Sequence, residues 1–271
     1  MSLWLPGYHI GVGTRRPDEF ELNTDSSLAT GLRFAGLGRF TKSKRYQDSS
    51  LYGKNGTLSA TMTPATDWVF DAELGRWGYG SGVIQNVHGT IPTLGAMPTW
   101  SVGFWSAIAS GDDTIQGVFS EGVPNANNTI STRSGNVYVY YDATAFLSWT
   151  IAAAGLHYWC VTSSTTDTTL YRDGEPVSSK SNSGALFDWA NTTRLCRSWV
   201  AAAASNTCRY DITVHDRILS LPEIQTLANR SDPMLGGLIQ PIGPRWLPVA
   251  VAGAPSGLDP HEQAVAWELG V

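Results

Sequence analysis

The chain has 271 residues, a formal net charge of −5 and only 15% charged residues, well under the usual quarter. That balance, with no basic cluster beyond Arg39, Lys42, Lys44 and Arg45, argues against nucleic acid as a partner. No apolar run approaches the ~18 residues needed to cross a bilayer, whereas 42% apolar residues, among them 11 Trp, supply ample core for one large domain with arms.

The opening MSLWLPGYHIGVG has neither the basic n-region nor the continuous apolar h-region of a secretory signal, so export by the usual route is not expected. Residues 1–30 read as an arm, because Pro6, Pro17 and several glycines interrupt every candidate period. From Leu32 the pattern turns strand-like. In RYQDSSLYGKNGTL, Asp48-Ser49-Ser50 and Gly53-Lys54-Asn55-Gly56 are turn residues closing on a short strand.

In TWSVGFWSAI, Trp100, Val102 and Phe104 share one face while Trp105 and Ala107 share the other. Apolar groups on both faces predict a central strand. NVYVYYDA sets Val137, Val139 and Tyr141 on one face and Tyr138 and Tyr140 on the other. The strand HYWCVTSS carries Cys160, read as a small buried hydrophobe. TLYRDGEPV is a hairpin, since Asp173-Gly174 suits a type I′ turn. Pro176 confines the returning arm to a sheet edge. In CRYDITVHDRIL, Cys208, Tyr210, Ile212 and Val214 are expected to face the core, with Arg209, Asp211, Thr213 and His215 facing out.

A short helix follows. Ser220 is its N-cap, Glu223 completes a capping box, and Leu219 with Ile224 forms a hydrophobic staple. Pro222 sits in the first turn, where it removes only an N–H that lacks an intrahelical partner. The helix should end near Asn229. Beyond Pro233 the chain is Pro-rich and aperiodic, with Leu238, Ile239, Trp246 and Leu247 unable to bury one another alone. Such a tail is either disordered or laid along another protein, and its apolar content favours the latter. Three cysteines make no disulfide scaffold. Cys196 and Cys208 could pair in an oxidising compartment; otherwise all three are free thiols, and no spacing fits zinc.

The order HYWCVTSS, TLYRDGEPV, RYDITVHDRILSLPEIQTL resembles the closing half of laminin-G-like domains of the concanavalin A-like superfamily. Tyr171, Asp173, Gly174, Asp211, Val214, Asp216, Arg217, Leu219, Ser220, Glu223 and Ile224 match that pattern in order. Asp48-Ser49-Ser50 with Gly53 to Leu58, and Trp105, resemble its opening half. Arg194-Leu195-Cys196-Arg197 departs from it where a glycine is expected. The resemblance spans roughly residues 30–230. It implies an all-β jelly-roll sandwich of two antiparallel sheets with one short C-terminal helix and extended terminal arms. The expected boundaries are 1–30 for an N-terminal arm, 31–232 for the jelly roll and 233–271 for a docking tail. SSLATGLRF and NRSDPMLGGLIQPIGPRWLP are more loosely similar to virion-associated laminin-G-like proteins of tailed bacteriophages.

The concanavalin A-like fold also hosts glycoside hydrolases, which place two carboxyls ~5 Å apart in retaining enzymes. No ExDxE strand occurs here, and Glu19/Glu21 and Asp71/Glu73 lie outside convincing core strands. Together with the lack of GxSxG, HExxH and P-loop motifs, this leaves a non-enzymatic reading. Glycan binding needs aromatic faces and polar groups for hydroxyls, often with Ca²⁺ held by oxygen ligands. Asp112, Asp113, Asn125, Asn127 and Asn128 fall in two loops expected at one end of the sandwich; Asp112 and Asp113 are the metal candidates. Asp and Asn also simply favour turns. Tyr138 and Tyr140 are either an aromatic platform or packing under a second layer.

The first expectation is therefore a structural virion protein of a tailed phage, assembled in the host cytoplasm as a decoration, fibre or tail component. It would dock on other virion proteins in an oligomeric assembly through Trp4, Leu238, Ile239, Trp246 and Leu247. The alternative is a lectin-like module that recognises cell-surface glycans, and the two are compatible.

Overall fold

Asp173 and Gly174 have φ of 51° and 88°, the left-handed geometry that a type I′ turn requires at both central positions. Arg172 accordingly pairs with Glu175 across a two-residue turn. The computed structural model describes residues 4–5, 8–9, 20–37, 45–46, 48, 50–53, 55–58, 68–71, 74, 76–79, 89–108, 116–121, 129–133, 136–141, 144–150, 155–182, 189–190, 192–195, 209–230 and 235–241. The chain divides into two compact units, Met1–Pro241 and Ile242–Val271; the second lies outside the described residues.

Strands β1 (Trp4–Leu5) and β2 (Tyr8–His9) pair with each other. Then come β3 (Phe20–Leu22), a 3-10 turn at Ser27–Ala29, β4 (Leu32–Gly36), β5 (Arg45–Tyr46) and β6 (Gly56–Leu58). These lead to β7 (Trp68–Asp71), β8 (Arg76–Tyr79), β9 (Gly89–Ile91) and β10 (Trp100–Ile108). The middle of the chain holds β11 (Gln116–Glu121), β12 (Thr129–Arg133), β13 (Asn136–Tyr141) and β14 (Thr144–Thr150). Next are β15 (Gly155–Ser163), β16 (Asp167–Arg172), β17 (Glu175–Ser181) and β18 (Thr193–Leu195). The last run is β19 (Arg209–His215), helix α1 (Leu221–Leu227) and β20 (Ile239–Pro241).

Among the described residues two eight-stranded antiparallel sheets form the jelly roll. One runs β17-β16-β15-β10-β19-β8-β7, with β4 alongside β19; the other runs β14-β13-β12-β11-β18-β9-β6-β5. β10 is central, between β15 and β19, and β17 with Pro176 is at an edge, both as the residue pattern requires. One face of the first sheet carries buried Trp100, Val102, Phe104, Trp159, Val161 and Val214. In the second sheet Ile91, Ile130 and Val139 are buried. Trp189 meets Trp100 edge-on at 5.8 Å.

The other face of the first sheet is covered as well. Ala35, Trp105, Tyr158 and Cys160 pack there with Leu28, Leu219, Ile224, Leu227, Leu235, Leu238 and Ile239. The cover thus consists of α1 and two segments from opposite parts of the sequence, clamped where β3 pairs with β20. Gln240 donates to Glu21, and Asn23 N–H donates to the Leu238 carbonyl at 2.9 Å.

Two expectations change here. Residues 20–30 and 235–241 are body rather than arm or tail, because they are strands and core of the first unit. Leu238 and Ile239, expected to dock on a partner, are 0% and 2% exposed in their own core. Each such burial is worth roughly 1.5–3 kcal/mol, so neither side chain is available for docking.

β19 also departs from simple alternation. Asp211, Thr213 and His215, expected to face water, are all buried, since the cover layer lies over them. Asp211 has φ of 45° and is an extra residue where β19 bulges against β10, between Gly103↔Thr213 and Trp105↔Tyr210. His215 Nε2 donates to the Leu28 carbonyl at 2.9 Å, and its Nδ1 has no hydrogen-bond partner among the described residues. Burial first, with the Arg217 charge behind it, lowers its pKa to about 4 against the raising effect of the Leu28 bond.

Helix α1 begins as its sequence dictates. Glu223 accepts from the Ser220 N–H at 2.8 Å and its Oγ at 2.9 Å, while Leu219 and Ile224 are 1% and 0% exposed. The Arg217 guanidinium also grips Glu223, at 2.7 and 2.9 Å, and donates to the carbonyls of Ser27 and Thr30. Arg217 first, then Ser220, hold the Glu223 carboxyl down to about 2. The cap therefore also straps the N-terminal segment to the helix.

Candidate functional site

Most of the site residues expected from sequence lie where no geometry can be given. Asp112, Asp113, Asn125, Asn127 and Asn128 are outside the described residues, as are Trp246, Leu247, Cys196 and Cys208. The roots of the two Asp/Asn loops are described. They are Gln116 and Glu121, opposite ends of the single strand β11, which separates them by roughly 17 Å, whereas one common end was expected. Tyr138 pairs across from Ser131 and Ser148, and Tyr140 across from Thr129 and Ala145; both alternate with buried Val139. Trp4 belongs to β1. Among the described residues no group of three or more His, Cys, Asp or Glu is placed to hold a metal ion.

A surface feature not singled out in the sequence stands out instead. Leu51 and Tyr52 are 76% and 49% exposed, and they sit on a rigid knot. Asp48 bridges Gly36 at the end of β4, and its Oδ1 accepts from the N–H groups of Ala35 and Ser50 at 2.9 and 2.8 Å. Ser50 Oγ donates to Asp48 Oδ2 at 2.7 Å and accepts from Tyr52 N–H at 3.3 Å. Asn55 closes the knot by accepting from Asp48 N–H at 2.9 Å. The segment is thus held by side-chain-to-backbone bonds of the kind Asp and Ser favour in turns.

Arg33 lies beneath the ring, its guanidinium carbon 4.8 Å from the Tyr52 centroid, within cation–π range. Its position follows from a bulge. Phe34 pairs with Val214 but Leu32 with His215, so Arg33 is the extra residue that a bulge re-aims. Nε and Nη2 then reach Asp216 Oδ2 at 2.6 and 2.5 Å. Asp216 is fixed in turn by its N–H donating to the Gly31 carbonyl at 2.8 Å. Gly31 has φ of 71°, and a Cβ there would lie 2.4 Å from Asp216 Oδ1. Glycine is therefore needed at 31 for both backbone and clearance.

The resulting surface combines a half-open aromatic ring, an apolar neighbour and a partly exposed ion pair, whose side chains are 32% and 27% exposed. Such a set is suited chemically to stacking and hydrogen bonding. The sequence did carry a signal for it: Leu51-Tyr52 is an apolar pair enclosed by turn residues on both sides, with no strand period to bury it.

A second polar pair sits at the β16–β17 hairpin. His157 Nδ1 and Asp173 Oδ2 are 2.6 Å apart, and Asp173 Oδ1 accepts from Tyr158 N–H at 3.0 Å while its own N–H donates to the Tyr158 carbonyl. Those bonds fasten the turn to β15 and account for an aspartate at a positive φ. The pair is a hairpin lock.

No protein-family model and no curated protein sequence matches the chain. Solved structures similar to it include the binding domain of Paraclostridial Mosquitocidal Protein 1, with TM-score 0.57 and 14% identity over 75% of this chain and 53% of that one. Botulinum neurotoxin type C, whose way into cells depends upon interaction with two ganglioside molecules, has TM-score 0.56 and 10% identity over 74% and 51%. Trypanosoma rangeli sialidase has TM-score 0.55 and 16% identity over 76% and 34%. The likeness is one of fold, a lectin-like jelly roll. The chain spans about half the length of the binding-domain chains and a third of the sialidase.

Proposed function

We propose that this chain is a non-enzymatic, lectin-like module that binds glycans on the Leu51–Tyr52 surface. The observation that carries the reading is the Tyr52 ring, 49% exposed yet pinned by the Asp48 knot and the Arg33–Asp216 pair. An ordered aromatic face beside a polar pair suits the C–H face and hydroxyls of a sugar, and pre-ordering reduces the entropy lost on binding. The ganglioside interaction of the similar botulinum neurotoxin supports it. The competing locations are the Asp112–Asp113 loop with a Ca²⁺ ion and, beyond the other end of β11, the Asn125–Asn127 loop, with Tyr138 and Tyr140 on β13.

A glycan array followed by calorimetry on wild type and Tyr52→Ala, with and without Ca²⁺, tests the reading. Saturable binding should weaken about tenfold or more in Tyr52→Ala at an unchanged thermal midpoint. Binding lost on chelation or in Asp112→Ala/Asp113→Ala, and kept in Tyr52→Ala, would move the site to the loops. A silent array would remove the glycan reading.

A second reading rests on the sequence resemblance to tailed-phage virion proteins: the jelly roll is displayed on a particle assembled in the host cytoplasm. In it, residues 242–271, with Trp246 and Leu247, dock on neighbouring virion subunits. Deleting 242–271 should abolish incorporation into particles while glycan binding persists.

A further inference from the structure

We infer that the Tyr52 surface takes neutral saccharides, recognised hydroxyl by hydroxyl, rather than the carboxylate or sulfate of an acidic glycan; this rests on the glycan-binding reading above. Among the described residues, the cation that lies against the ring, Arg33, is already neutralised. Arg33 directs Nε and Nη2 onto Asp216 Oδ2 at 2.6 and 2.5 Å. Arg217, next along the chain, is closed by Glu223 and by the carbonyls of Ser27 and Thr30. An anionic ligand approaching Arg33 would have to displace Asp216 from a short, charge-assisted contact or sit against its negative charge. The chain's net charge of −5 opposes the same ligand at longer range.

The hydrogen-bonding capacity left over fits hydroxyls. No described residue accepts from Arg33 Nη1, and none donates to Asp216 Oδ1. The pair therefore offers both donors and an acceptor. A hydroxyl can satisfy either, because it donates and accepts, whereas a carboxylate only accepts and would leave Asp216 Oδ1 desolvated without a partner. The Tyr52 ring, with Leu51 beside it, meets the sugar's apolar face.

The test sets neutral hexose-terminated glycans against the same scaffolds capped with sialic acid or sulfate, for the full chain at low and at 0.5 M salt. Wild type should bind the neutral members at least about tenfold more tightly, with little salt dependence. Asp216→Asn, which leaves Arg33 uncompensated, should weaken neutral binding and move the neutral-to-acidic ratio about tenfold or more toward acidic ligands. If that variant does not fold, the wild-type preference and its salt dependence decide. Preference for sialylated or sulfated ligands, or affinity falling steeply with salt, would overturn the inference while leaving glycan binding standing. Neutral binding indifferent to Asp216→Asn and Tyr52→Ala would overturn it by placing the site elsewhere. No binding to any glycan would remove the underlying reading as well.

Discussion

Acidification should destabilise this protein through His215 before carboxylates take over. Its imidazole is buried at 0% exposure and held neutral, so the fold accepts a proton only near pH 4, whereas an unfolded histidine accepts one at 6.5. Between those values the unfolded chain binds more protons than the folded one, and stability falls as the pH falls. Below about 4 the loss is complete. The gap from 6.5 to about 4, at about 1.4 kcal/mol per pH unit, amounts to about 3 kcal/mol. That is a large share of the roughly 5–15 kcal/mol typical of a domain. The assay is urea unfolding followed by tryptophan fluorescence from pH 7.5 to 4. With a slope of about 3 kcal/mol/M, the midpoint should drop by about 1 M. His215→Gln retains a donor for the Leu28 carbonyl and cannot titrate, so its midpoint should decline much less over the same range. Parallel declines in wild type and His215→Gln would refute the assignment, as would a wild-type midpoint that is flat from pH 7 to 4.

Glu223 titrates in a lower window. Its folded pKa is about 2 against the usual 4.5, so the stability it contributes is present above 4.5 and lost as pH falls toward 2; Glu223→Gln should remove that share of the acid transition when the urea series is extended from pH 5 down to 2. Leu238→Ala, at a 0% exposed position, should cost about 2–5 kcal/mol and lower the thermal midpoint. A docking side chain would instead leave the midpoint of the isolated chain unchanged.

Local signals in the sequence were read well because their physics is local. The left-handed pair Asp173-Gly174 and the Ser220–Glu223 box each settle their geometry within four residues. Trp100 to Ala107 declared a central strand because both faces are apolar. What misled was the alternation in β19. Asp211, Thr213 and His215 look outward only if nothing covers that face, and the cover comes from segments far away in sequence. His215 meets Leu28 at a separation of 187 residues, and Arg33 meets Asp216 at 183; neither spacing carries a motif. The same cause made Leu238 and Ile239 look like a tail, since their partners are Leu28 and the helix. The Arg33–Asp216 half of the candidate site was equally hidden, because a bulge at Arg33 leaves no mark in a period-2 pattern, whereas Leu51-Tyr52 was legible as an apolar pair between turn residues.

The pairing of β3 with β20 has a consequence for how such a module travels between proteins. Phe20 stands opposite Pro241, so these two residues are about 5 Å apart, as neighbouring strands of any hairpin are. A graft of residues 20–241 into a surface hairpin of an unrelated host would therefore need no spacer between its ends. The host would feel the graft as a longer loop rather than a wedge, and the module would keep its orientation through two strands instead of one flexible tether.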